Sequence, residues 1–255
     1  MALEMMAVPC LRDNYAYLVH DPGSGRTAVV DVPDTAPVHD ALEARGWTLT
    51  DILITHHHDD HIGGVMRLRE DTGAAVWGAR ADAHRLPPLD HALAEGDTVS
   101  IGAEAGTVID VPGHTVGHIA FHFPDSQLAF TADSLMICGC GRLFEGTPEQ
   151  MWQSLRKLMA LPDETLICSG HDYTNGNLAF ARSVDPDNEA LAERMDQVAA
   201  DRAAGRPMAV ATLALEKATN PFLRATDDAL KRSHHMTEAI DVEMFAHLRA
   251  LKDTF

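Results

Sequence analysis

The stretch Ile52-Leu53-Ile54-Thr55-His56-His57-His58-Asp59-Asp60-His61-Ile62-Gly63-Gly64 decides how this chain is read. The three apolar residues predict a strand, and side chains able to bind a divalent metal follow directly from its end. In extended chain, residues two apart share a face, so His56 and His58 point the same way and His57 points away from both. Asp60 and His61 fall on the turn that Gly63-Gly64 closes, and Asp59 is left facing solvent or in a supporting role. Such a cluster suits two metal ions side by side better than one. Histidine tags sit at chain ends, whereas this run is internal, mixed with aspartate and framed by a strand and a turn. It reads as a metal site.

Three later segments also place possible ligands after apolar runs. Val111-Pro-Gly-His114-Thr-Val-Gly-His118 carries two histidines on a glycine-rich turn, Phe130-Thr-Ala-Asp133 ends in a carboxylate, and Ser169-Gly-His171-Asp172 follows an apolar run at 165–168. Each alone is as easily a cap or loop residue. Taken with the first cluster, His114, Asp133 and His171 complete two nitrogen and oxygen ligand shells with one carboxylate shared. His118 is read as orienting its turn.

Composition narrows the function class. With 255 residues, 45% of them hydrophobic, the chain can bury a sizeable core. A formal charge of −18 argues against nonspecific binding to nucleic acid or an anionic membrane. No apolar run approaches the about 20 residues needed to span a bilayer. The start, Met1-Ala2-Leu3-Glu4, lacks the charged head and apolar core of a secretory signal. Cys10, Cys138, Cys140 and Cys168 are too few for a disulfide framework and are expected to be small buried residues. Both observations lead to a cytoplasmic expectation.

Strand patterns fall at 15–19, 27–30, 52–54, 74–77, 107–109, 119–123, 128–130 and 165–168. Helical patterns intervene at 37–46, 65–72 and 148–161, the last with Thr147 as N-cap and Pro148 at its first position. Beyond His171 the character changes. Helices are expected over 177–182, 188–205 and 236–252, with few strand signals. The chain is therefore divided into a catalytic domain, 1–171, and a helical domain, 172–255, in an α/β fold.

The pattern His56-x-His58-x-Asp60-His61, with His114, Asp133 and His171 in that order, resembles the metallo-β-lactamase superfamily. A closer resemblance, over almost the whole chain, is to the glyoxalase II (hydroxyacylglutathione hydrolase) family. Pro9-Cys-Leu-Arg-Asp-Asn-Tyr15, Gly139-Cys-Gly-Arg-Leu-Phe-Glu-Gly146, Gly170-His-Asp-Tyr-Thr174, Asn220-Pro-Phe-Leu-Arg224 and Arg249-Ala-Leu-Lys-Asp253 carry it. The resemblance implies a metallo-β-lactamase-like αβ/βα sandwich of two mixed sheets with a C-terminal helical domain. It implies one metal on His56, His58 and His114, a second on Asp60, His61 and His171, and Asp133 bridging them. Asp60 and Asp133 are the implied catalytic pair. Asp31, closing the run Ala28-Val-Val30, is either a turn residue or, by resemblance, the partner of a ligating histidine's second N–H. Arg142, Phe144, Tyr173, Arg249 and Lys252 stand at the implied glutathione-contacting positions. Phe144 lacks the hydroxyl often present there, and Arg142 replaces a lysine.

The chemistry fits the implied substrate. A thioester carries a good leaving group, so its hydrolysis needs a strong nucleophile and a stabilised oxyanion. Two divalent ions supply both, with a bridging water activated near neutral pH. The expectation is two divalent ions per chain, zinc first, with iron or manganese acceptable to the same donors. The expected partner is a small-molecule glutathione thioester, with no nucleic acid, no membrane and a monomeric chain. Arg249 and Lys252, three apart, share a face of the terminal helix. The main rival is a glutathione persulfide dioxygenase with a single iron. A basic nucleic-acid-processing module is disfavoured by the acidic balance.

Overall fold

A computed structural model describes residues 2–255, which form two compact units. The first takes in the chain up to Asp110 together with Gly117–Ala132. The second comprises Val111–Val116 and Asp133–Phe255.

The first unit opens with β1 (Glu4–Cys10), β2 (Asn14–His20), β3 (Thr27–Val30), helix α1 (Thr35–Arg45) and β4 (Leu49–Leu53). The short helix α2 (Asp59–Ile62), α3 (Val65–Thr72), β5 (Ala75–Ala79) and β6 (His91–Leu93) follow. Strands β1 to β6 lie side by side in chain order, antiparallel from β1 to β3 and parallel from β3 to β6. Six of the seven residues of β2 are buried and all four of β3 are, as expected for strands covered on both faces. The unit closes with β7 (Thr98–Ile101), β8 (Glu104–Asp110), β9 (Ile119–Phe123) and β10 (Leu128–Ala132), each antiparallel to its neighbour. Burial alternates along β7 and the first five residues of β8, the mark of a sheet with one wet face.

The second unit contains the hairpin β11 (Leu135–Met136) and β12 (Gly139–Cys140), helix α4 (Pro148–Met159), β13 (Leu166–Ser169), α5 (Thr174–Val184) and α6 (Glu189–Ala203). It ends with β14 (Val210–Thr212), antiparallel to β13, then α7 (Leu213–Thr219), α8 (Asp228–Ser233) and α9 (Asp241–Thr254). Helix α4 starts as its sequence predicts. Thr147 Oγ1 accepts from Gln150 N at 3.3 Å and Gln150 Oε1 accepts from Thr147 N at 2.9 Å, with Pro148 in the first turn.

Two helical expectations shift. Helix α5 begins at Thr174, three residues before the expected start, because Asn175-Gly176 reads as a turn by composition yet lies inside the helix. Helix α9 begins at Asp241 rather than 236: His235 adopts φ 57° and a turn joins Ala239 N to Met236 O at 3.0 Å before Ile240 caps the helix.

Candidate metal centre

In the first unit, β4 delivers its extended continuation to His56, which is fully buried, and His58, which is half-buried. His56 Nε2 stands 3.2 Å from His58 Nδ1. Alternation sends His57 the other way, to Asp82 Oδ2 at 3.2 Å, and Asp59 is exposed. His61, on α2, is fully buried, with its ring 4.1 Å from that of His56. The ring of His118 stacks on His56 at 4.7 Å. Single donor atoms of Asp31, His56 and His61 lie within 4.8 Å of one another.

The proton positions follow from the partners. Thr55 donates its one hydroxyl proton to Asp31 Oδ2 at 2.7 Å, so its oxygen accepts from His56 Nδ1 at 3.0 Å. The lone pair of a neutral His56 is then on Nε2, aimed at His58. Asp31 Oδ2 also takes the Nδ1 proton of His61 at 2.8 Å, leaving the His61 lone pair on Nε2. Asp31 does this from φ 55°, a conformation that non-glycine residues adopt at a cost, while its Oδ1 accepts from Thr55 N at 2.9 Å. Asn14, buried on β2, donates to both the backbone oxygen of Asp60 at 2.9 Å and its Oδ2 at 3.1 Å, which aims the carboxylate.

In the second unit His114, Asp133 and His171 are all buried, and both histidines point Nε2 at one atom: Asp133 Oδ2, 3.3 Å from His114 and 3.4 Å from His171. The backbone oxygen of Arg142 accepts from His114 Nδ1 at 2.8 Å. A neutral His114 therefore turns a lone pair toward a carboxylate oxygen, an arrangement that calls for a cation between them. The loop that supplies this carbonyl comes close because position 141 is glycine. A Cβ there would sit 2.1 Å from Asp133 O and 2.8 Å from His114 Nδ1. His171 is held by Ser169, whose hydroxyl donates to His171 O at 2.9 Å. Imidazole nitrogens and carboxylates with these fixed outer partners are the donor set of a divalent transition metal, and the residues present fit one.

The expected glutathione-contacting residues all lie in the second unit but differ in exposure. Arg142, Phe144 and Tyr173 are exposed; Phe144 packs its edge on His114, with ring centres 5.3 Å apart, and Tyr173 stacks on His171 at 4.6 Å. Arg249 is only 5% exposed and donates to Cys140 O at 2.9 Å and Asp253 Oδ1 at 3.0 Å. Asp253 Oδ1 also lies 3.5 Å from Arg142 Nε, so α9 braces the loop carrying Arg142. Lys252 donates to Gly176 O at 2.9 Å, and burial lowers its pKa from the ordinary lysine value. Spacing alone could not show that Arg249 turns inward.

Residues 11–171 match the metallo-beta-lactamase superfamily, and residues 172–255 match the hydroxyacylglutathione hydrolase C-terminus. The hydroxyacylglutathione hydrolase of Cereibacter sphaeroides is 64% identical over 255 residues, covering 100% of both chains. That of Jannaschia sp. is 61% identical, covering 99% of this chain and 98% of its own. The chain belongs to the hydroxyacylglutathione hydrolase family. Among solved structures, ETHE1 from Myxococcus xanthus superposes with a TM-score of 0.68 at 26% identity, covering 98% of this chain and 90% of its own. The metallo-β-lactamase-like fold of two mixed sheets with a C-terminal helical region, expected from the sequence, is the fold of this family member. Among the described residues, no helix is long and apolar enough to cross a membrane.

The sequence did not single out Asn14, Ser169 or the Asp172–Arg202 pair. Asn14 stands inside the Pro9–Tyr15 motif, but its partner is 46 positions away. All four cysteines are buried free thiols, as expected, and burial pushes Cys138 up to about 12 and Cys140 up to about 11.

Proposed function

We propose that this chain hydrolyses S-(2-hydroxyacyl)glutathione, S-D-lactoylglutathione in particular, to glutathione and a 2-hydroxy acid, completing the removal of methylglyoxal. The full-length similarity to hydroxyacylglutathione hydrolases carries this reading. The seven ligands of the proposal are His56, His58 and His114 for one ion, Asp60, His61 and His171 for the other, and Asp133 for both. Zinc is the first choice, with iron or manganese suited to the same donors. Two such ions, when bound, supply Lewis acidity that activates water at neutral pH and polarises the thioester carbonyl.

The chain's own residues do the rest. Asp31, Thr55 and the Arg142 carbonyl fix histidine tautomers so that lone pairs face inward. Asn14 aims Asp60. Arg142 and Lys252 bring positive charge to the two carboxylates of the peptide on an otherwise acidic chain. Phe144 offers ring surface and no hydroxyl. The buried thiols, with their raised pKa values, are poor nucleophiles, which agrees with a nucleophile derived from water. The proposal divides the chain at residue 171, with the metal ligands at or before it and Tyr173 and Lys252 of 172–255 joining Arg142 and Phe144 from upstream in binding glutathione. It also takes the chain as cytoplasmic and monomeric, and light scattering on the purified protein checks the oligomeric state.

The decisive experiment follows thioester loss from S-D-lactoylglutathione with the wild type and Asp133→Ala, each with its metal measured. Metal-dependent turnover by the wild type, with a loss of about 100-fold or more in the variant, is expected. A wild type without turnover would end the proposal. One tightly held iron per chain, with oxygen uptake on glutathione persulfide, would move it to the dioxygenase reading.

A further inference from the structure

Between the ligand His171 and the exposed ring of Tyr173 lies Asp172, which neither metal nor substrate binding has used. Helix α6 sends Arg202 to it in a two-point grip. Arg202 Nη1 donates to Asp172 Oδ2 at 2.8 Å and Nη2 donates to Oδ1 at 2.6 Å. The third donor of the fork, Nε, reaches Asn175 Oδ1 at 3.1 Å. The same short segment is held from a second helix by Lys252, through Gly176 O. Asp172, Tyr173, Asn175, Gly176, Asn177, Arg202 and Lys252 together line a pocket of ≈ 390 Å³.

We propose that Arg202 is a positioning residue for substrate binding: its fork on Asp172 and Asn175 fixes the 172–176 segment so that Tyr173 and Lys252 present one preformed pocket to the anionic peptide half of the thioester. The assignment of the substrate rests on the reading above. The geometry separates this role from metal binding, because His171 has its own anchor in Ser169. It also separates fork from charge. A planar guanidinium satisfies both carboxylate oxygens and the amide oxygen at once, which a lysine ammonium cannot do. Arg202 itself is neutralised by Asp172, so it acts through the segment and not as a free cation for the substrate.

The test uses the full metal-loaded chain and two readouts: steady-state hydrolysis of S-D-lactoylglutathione, and calorimetric affinity for S-methylglutathione, a thioether that cannot be hydrolysed. In Arg202→Ala, KM and the thioether Kd should both rise about three- to tenfold, with a smaller change in kcat. Metal per chain should equal that of the wild type. Arg202→Lys should resemble the alanine variant. Asp172→Ala should match it too, and the double variant should be no worse than either single one, because the two side chains act as one unit. Wild-type affinity in Arg202→Ala, full rescue by lysine, additive losses in the double variant, or loss of metal would each overturn the proposal. A wild type that binds the thioether but cleaves no thioester would defeat the assigned activity, and the Kd series would still judge Arg202.

Discussion

Asp31 shows how much one side chain can settle. Its buried carboxylate receives Thr55 N, Thr55 Oγ1 and His61 Nδ1, and through Thr55 it fixes the tautomer of His56. Holding a non-glycine residue at φ 55° is a local cost, and the three hydrogen bonds its buried carboxylate accepts offset it. Asp31→Ala should lower metal affinity about 10- to 100-fold while the chain stays folded. Metal titration alongside circular dichroism checks this, and wild-type affinity would leave Asp31 a turn residue only. Lys252 makes a second prediction. Burial disfavours its ammonium form, and neighbouring Arg249 adds to the effect, so the pKa lies below the ordinary lysine value. As pH rises, Lys252 loses its charge earlier than an exposed lysine would, and KM for an anionic thioester should rise with it. Lys252→Arg should flatten that alkaline limb; identical profiles for the two proteins would place the binding charge elsewhere. At this scale the histidine cluster was legible because alternation along extended chain dictates which side chains converge. Asn14 and Arg202 were not, since a hydrogen bond spanning 46 or 30 positions leaves no local pattern.

Elements declare themselves where local chemistry and packing agree. Helix α4 has its capping box, its first-turn proline and an inner face of Met151, Trp152, Leu155 and Leu158. Thr147→Ala removes one half of the box and should cost about 1 kcal/mol in urea unfolding. No measurable change would mean that packing alone sets the helix start. The strands at 27–30 and 119–123 match their expected bounds because dense β-branched and aromatic residues leave no alternative. Strand β1 was invisible: Met5-Met6 lacks β propensity, and Pro9 speaks against a ladder that the strand's place at the edge of the sheet permits. Helix α7 escaped notice for another reason, since seven residues are too few to show a period.

At the scale of the whole molecule, the second unit is organised around a buried ion pair that no sequence pattern announced. Arg194 on α6 donates to Glu216 and Thr219 on α7. The other oxygen of Glu216 accepts from Cys138 N at 2.8 Å and Asn220 Nδ2 at 3.0 Å, tying both to the hairpin that leads to Gly141 and Arg142. Arg194→Met strands the Glu216 charge in the interior and should lower stability by about 3–5 kcal/mol. Adding Glu216→Gln should recover part of that loss, as measured by urea unfolding; a single variant as stable as wild type would show that the pair is dispensable. The division of the chain also has a consequence for how the protein is made. Val111–Val116, which carries His114, belongs to the second unit although the first unit resumes after it. On the ribosome, every residue of the first unit has therefore been translated by Ala132, while His114 still waits for partners not yet synthesised. Asp133 comes next, but His171 follows only 38 codons later. The second cluster is thus a late product of translation, complete only once His171 has emerged.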